Sequence, residues 1–176
     1  MRRLLMAVLA LGLLTLTVES ALAQRNARAT TQISLGGKMV SVEYGRPTLK
    51  GRKVSELLDQ LKPGDFWRLG ADKSTTFSTA VDLEFGDVSV PSGEYSLWAR
   101  RGEGDSWKLV FNKQHGQWGT QHDASQDLAS VPLKVTKASS SDEMVTINLT
   151  LAKASGGGVI TIQWGDMKMT ASFKAK

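Results

Sequence analysis

Val145-Thr146-Ile147-Asn148-Leu149-Thr150-Leu151 alternates apolar and polar residues at every step, and Ile160-Thr161-Ile162-Gln163-Trp164 does the same shortly after. Side chains at i and i+2 share one face of a strand, so strict alternation marks a strand with one buried face. Between the two runs, Ser155-Gly156-Gly157-Gly158 supplies a turn. Gly165-Asp166 is expected to turn the chain once more, into Met167, Met169, Ala171 and Phe173. Moving upstream, Val131, Leu133 and Val135 form another strand, and Trp107-Lys108-Leu109-Val110-Phe111 another. Tyr95, Leu97 and Ala99 alternate after the turn Pro91-Ser92-Gly93, and Val81, Leu83 and Phe85 alternate before it. Ser74 to Thr79 is Thr-rich around Phe77. Gln32 to Leu35 and Lys38 to Tyr44 flank Gly36-Gly37, the two-residue turn of a hairpin.

About nine or ten short strands separated by turn signals imply an all-β fold, a single antiparallel sandwich or barrel-like domain. One short helix interrupts it. Val54, Leu57, Leu58 and Leu61 fall at i, i+3, i+4 and i+7, which predicts a helix over residues 53–61, and Lys62-Pro63-Gly64 stops it.

The ends of the chain carry different information. Met1-Arg2-Arg3, an apolar run from Leu4 to Val18 and Ala21-Leu22-Ala23 are the three parts of a secretory signal peptide over residues 1–23. The apolar run is 15 residues long, short of the roughly 20 that a membrane-spanning helix needs. No later run approaches it, so no membrane span is expected after cleavage. Residues 24–30 are polar and expected to be flexible, and 31–176 form the single domain. The location expected is periplasmic or secreted, and the absence of Cys means the fold does without disulfides there. Cleavage after Ala23 leaves a net charge of +4, scattered along the chain, and nucleic acid is not an expected partner.

Two stretches beside the helix concentrate chemistry. Gly45 to Lys53 holds Arg46, Lys50, Arg52 and Lys53 without an acid, and Phe66-Trp67-Arg68-Leu69-Gly70-Ala71-Asp72 follows the helix directly. A guanidinium is a planar fork of donors that fits carboxylate or phosphate, and an indole offers a flat face to sugars or cations. Together they point to a pocket for an anionic or sugar-like ligand. The competing reading is that Arg68 pairs with a buried acid or caps carbonyls while Trp67 fills the core. The long segment Asn112 to Leu128 holds both histidines and Trp118, and loops of that length are often functional or mobile. His115, His122 and Asp123 match no familiar metal spacing, so no metal site is assigned. There is no nucleophile elbow, no phosphate-cradling glycine loop and no cofactor motif, so no catalytic residue and no cofactor is assigned.

Val42-Glu43-Tyr44-Gly45-Arg46-Pro47, Lys50-Gly51-Arg52 and Trp67 to Asp72 with Thr75-Thr76-Phe77 resemble, in order, an exported bacterial family, the domain of unknown function 2911. Pro91 to Trp98, Phe111-Asn112-Lys113 and Trp118-Gly119 are similar to its later blocks, so the resemblance spans about Ile33 to Phe173. Asp72 stands where Asn is expected in much of that family. The resemblance implies export, one β-rich domain and no established activity. It also marks Arg46, Arg52, Trp67, Arg68, Tyr95, Asn112 and Trp118 as recurring residues, the candidate ligand-binding set.

Three functions follow as expectations. The first is a binding module for an anionic or sugar-like small molecule or glycan. The second is a structural or protein-interaction domain of the cell envelope, whose sign would be Arg68 sealed against an acid. The third is a hydrolase or isomerase using a carboxylate or His122, whose sign would be such a group, with a perturbed pKa, beside the arginines in a cleft.

Overall fold

The computed structural model describes residues 26–152 and 156–176. The signal peptide expected over residues 1–23, the start of the stretch expected to be flexible (Gln24 and Arg25), and Ser155 of the expected turn lie outside them. The alternating segments pair with their neighbours as ten antiparallel strands. In chain order these are β1 (Arg28–Leu35), β2 (Lys38–Gly45), the helix α1 (Val54–Leu58), β3 (Phe66–Trp67), β4 (Thr76–Thr79), β5 (Leu83–Phe85), β6 (Val88–Val90), β7 (Gly93–Arg101), β8 (Trp107–Asn112), β9 (Asp127–Ala152) and β10 (Gly157–Ala175). They form one sheet in the order β1-β2-β4-β7-β8-β9-β10-β5-β6, with β3 added beside β7. The sheet is not closed into a barrel.

It bends over its own core instead. Phe77 and Phe111 meet edge to face at 5.3 Å, while Phe85 lies 5.1 Å from both Phe111 and Phe173, so rings from β4, β8, β5 and β10 share one interior. Val40, Val42, Leu97, Leu109, Ile147, Ile160 and Ile162 fill the rest, each essentially without solvent contact. The bend is held where the chain leaving β2 meets the middle of β9. Leu49 N–H donates to the Glu143 carbonyl at 2.9 Å, and Val145 N–H to the Pro47 carbonyl at 3.1 Å.

Four expectations are revised. Residues 24–30 are not uniformly loose. β1 begins at Arg28, Arg28 Nε meets Glu43 Oε1 at 2.7 Å, and Asn26 N–H donates to Asp72 Oδ2 at 3.0 Å. α1 is a single helical segment of 5 residues, shorter than residues 53–61. Its apolar stripe still faces inward, but the chain tightens after Leu58, where Leu61 N–H bonds the Leu58 carbonyl three residues back at 3.1 Å. The runs around Leu133 and Val145 are not separate strands, since both residues lie in the 26-residue β9. Gly165-Asp166 is a bulge inside β10, not a turn. The register against β9 shifts on both sides of Gly165, whose φ of +59° suits the irregularity. Its Cα backs onto Val54 at the start of α1.

Candidate functional site

The candidate site grows from two segments that cross at backbone distance. Tyr44 to Thr48 leaves β2, and Trp67 to Asp72 leaves β3. A Cβ on Gly45 would lie 2.2 Å from the Ala71 carbonyl oxygen, and one on Gly70 would lie 2.8 Å from Thr75 Oγ1. Only glycine allows that approach. Leu69 and Asp72 adopt φ of +55° and +62°, unusual for residues with side chains, and the Thr75 hydroxyl donates to the Leu69 carbonyl at 3.2 Å. The result is a sharply folded strip that carries Trp67 and Arg68 to one side.

There they border a cavity of about 550 Å³. Its apolar walls are Trp67 and Trp164, stacked at 5.7 Å and 10°, with Trp98, Phe66 and the leucines of and after α1. Gly119, Thr120 and His122 close it from the long loop between β8 and β9. Arg68 is half-buried and makes no hydrogen bond or ion pair with any described residue; its Cδ passes the Gly119 backbone, where a Cβ would stand 3.2 Å away. Arg52 stands exposed at the rim, its Nε donating to the Leu49 carbonyl at 2.9 Å. Trp164 Nε1 is the one buried side-chain polar atom without a partner among the described residues.

Of the seven candidates, Arg52, Trp67 and Arg68 come together at this cavity, and the other four do not line it. Arg46 Nε donates to the Val145 carbonyl at 3.2 Å, within the β2–β9 contact. Tyr95 points into the core against Phe111, its hydroxyl donating to the Pro91 carbonyl at 2.9 Å; burial, with Asp82 nearby, raises its pKa above the ordinary 10.0. Asn112 is fully buried and ties the ends of the long loop together. Trp118 is half exposed and bridges to Lys73, next to the cavity wall rather than in it.

Sequence reasoning did not place Trp164 or Trp98 at the site, and named Phe66 only as the start of the stretch Phe66 to Asp72. His122, weighed there as a metal ligand and as a candidate base, lines the cavity with Nε2 2.9 Å from Asp127 Oδ1, whereas His115 lies 3.8 Å from Glu94. The two histidines therefore keep different company. Asp123 caps a short 3-10 turn, and the Ser125 hydroxyl and N–H hold its carboxyl below the usual range, with His122 adding to the effect. The sign expected of a purely structural Arg68, an acid sealing its guanidinium, is not found among the described residues.

Fold and site together define a bent all-β domain with an aromatic cavity bordered by two arginines. The chain belongs to a family of proteins of unknown function, DUF2911, whose profile matches residues 26–173. No curated protein and no solved structure matches it. Among the described residues, no helix is long and apolar enough to cross a membrane.

Proposed function

We propose that this protein is an exported binding module, periplasmic or secreted, for an anionic or sugar-like small molecule or glycan. Arg68 is the anion-holding group, Arg52 a second cation at the rim, and Trp67 and Trp164 the apolar wall. One observation carries the reading: Arg68, half-buried as a residue, borders an aromatic cavity with its guanidinium unpaired among the described residues and open to solvent. A guanidinium has five donors, and a scaffold arginine normally spends them on neighbours, whereas those of Arg68 are left for solvent or a ligand. A cavity of this size also falls in the range of small-molecule sites.

The test is thermal unfolding of the purified protein, wild type and Arg68→Ala, with sugar acids, phosphorylated sugars and neutral sugars. A compound at a hundred times its dissociation constant stabilises the folded state by about 2.7 kcal/mol. The expected result is a raised midpoint for an anionic compound in wild type only, with the unliganded mutant within about 1 kcal/mol of wild type because no partner is lost. A mutant that melts far lower by itself, with no compound acting on wild type, would return Arg68 to the scaffold. A second reading, a hydrolase or isomerase, is favoured by His122 at the same cavity with Asp127 behind it. It requires turnover of a bound compound that His122→Phe abolishes without loss of binding.

A further inference from the structure

His122 sits on the long loop with its ring between Phe66, centroids 4.0 Å apart, and Trp98, at 4.7 Å. Which ring nitrogen carries the proton follows from the bonds behind it. Gln114 N–H donates to Asn112 Oδ1 at 2.9 Å, which fixes the orientation of the Asn112 amide. Its Nδ2 therefore donates to both the Asp123 carbonyl and Asp127 Oδ1, each at 2.7 Å. The reversed amide would set oxygen against oxygen at both contacts. Asp127 Oδ1 also meets His122 Nε2, and an ionised carboxylate can only accept, so Nε2 bears the hydrogen. In the neutral imidazole this leaves Nδ1 as a bare lone pair. Nδ1 has no hydrogen-bond partner among the described residues and is not sealed from solvent.

Arg68, with its donor fork, and His122, with its unpartnered Nδ1, thus line the same cavity together with its aromatic walls. We infer that His122 Nδ1 is a recognition point that accepts a hydrogen bond from a hydroxyl of the ligand, and that the ligand is a ring compound bearing both a carboxylate and a hydroxyl, as sugar acids do. This rests on the binding reading of Arg68. A second anionic oxygen at His122 would face a lone pair, so the carboxylate belongs at Arg68 and the hydroxyl at His122. Asn112 and Asp127 are positioning residues. They do not touch the cavity's contents but set the tautomer that does, which gives Asn112 a function through His122 rather than at the ligand.

Two measurements test it. Nitrogen-15 NMR of the imidazole rings at pH 7.5, without ligand, is expected to show His122 protonated at Nε2 and bare at Nδ1, and Asp127→Asn to disturb that state. A His122 protonated at Nδ1, or on both nitrogens, overturns the inference whatever binds. Calorimetry then compares glucuronate and galacturonate with cyclohexanecarboxylate, which keeps the ring and carboxylate but has no hydroxyl. Loss of one neutral hydrogen bond corresponds to about tenfold in affinity. His122→Phe, which keeps a ring between Phe66 and Trp98, is expected to weaken the sugar acids about tenfold and leave cyclohexanecarboxylate unchanged. Equal binding of all three, indifferent to His122→Phe but lost in Arg68→Ala, sinks the His122 inference alone. If no carboxylate binds wild type, the Arg68 reading falls and takes this one with it.

Discussion

Replacing Asn112 by Ala should cost far more than the loss of a small polar side chain suggests. The side chain is fully buried and makes three hydrogen bonds: two donated at 2.7 Å and one accepted at 2.9 Å. The bonds to the Asp123 carbonyl and from Gln114 N–H join neutral groups, each contributing about 1 kcal/mol net, and the bond to the Asp127 carboxylate about 1.5–3 kcal/mol. Together they amount to about 3.5–5 kcal/mol. Water can reach the partly exposed Asp127, so the lower end, about 3.5 kcal/mol, is the expectation. For a domain of this size that corresponds to a fall of about 7–14 °C in the melting midpoint. Urea unfolding followed by tryptophan fluorescence would measure it, the midpoint shifting at unchanged slope. Asn112→Asp keeps the shape but sets a second carboxylate against Asp127, and should be at least as damaging at pH 7. A loss below about 1 kcal/mol for Asn112→Ala would refute the loop-tying role and the argument for the His122 tautomer built on it.

Two further substitutions probe the scaffold. Gly45→Ala would drive a methyl into the Ala71 carbonyl, a backbone atom that cannot swing away, and should lose about 3 kcal/mol or more. Gly51→Ala, with open space around it and only a φ of +76° to strain, should lose about 1–2 kcal/mol; equal effects in urea titrations would contradict the close-approach argument. Tyr95→Phe removes the bond to Pro91 and should lose about 1 kcal/mol at pH 7. Because the folded pKa of Tyr95 lies above 10.0, its neutral form is favoured by folding. That stability is complete below pH 10 and disappears as pH rises through the folded value, since the unfolded chain ionises first. The stability gap between wild type and Tyr95→Phe should therefore narrow above pH 10; a gap that stays constant into strong alkali would count against it.

Strand positions are legible in the sequence wherever alternation is strict, because one buried face imposes period two. The same parity carries information about the site that the candidate set passes over. Tyr95 shares a face with Leu97 and Ala99, which sends it into the core, whereas Trp98 falls on the opposite face, toward the cavity. Arg52, Trp67 and Arg68 can be grouped because they flank one short helix. Trp164 cannot, since nothing local relates it to Trp67, and only the bend of the sheet stacks the two. Gly165 illustrates the limit in another way. A glycine at positive φ serves a bulge as readily as a turn, and what decides is whether a partner strand continues alongside, as β9 does here.

The contact between Pro47–Leu49 and Glu143–Val145 has a consequence for the order of folding. Most of the sheet can be laid down by hairpins between strands close in sequence, but this contact joins positions almost a hundred residues apart, so its loop-closure entropy must be met before it yields anything. Pro47 and Thr48 on one side of it, and Trp164 beyond the other, are all cavity walls. The cavity is therefore absent from any intermediate in which the hairpins have formed and the sheet has not yet bent. Whatever fills it draws on the finished fold alone, and each unit of binding free energy acts as a latch on one of the long-range contacts the chain has to make.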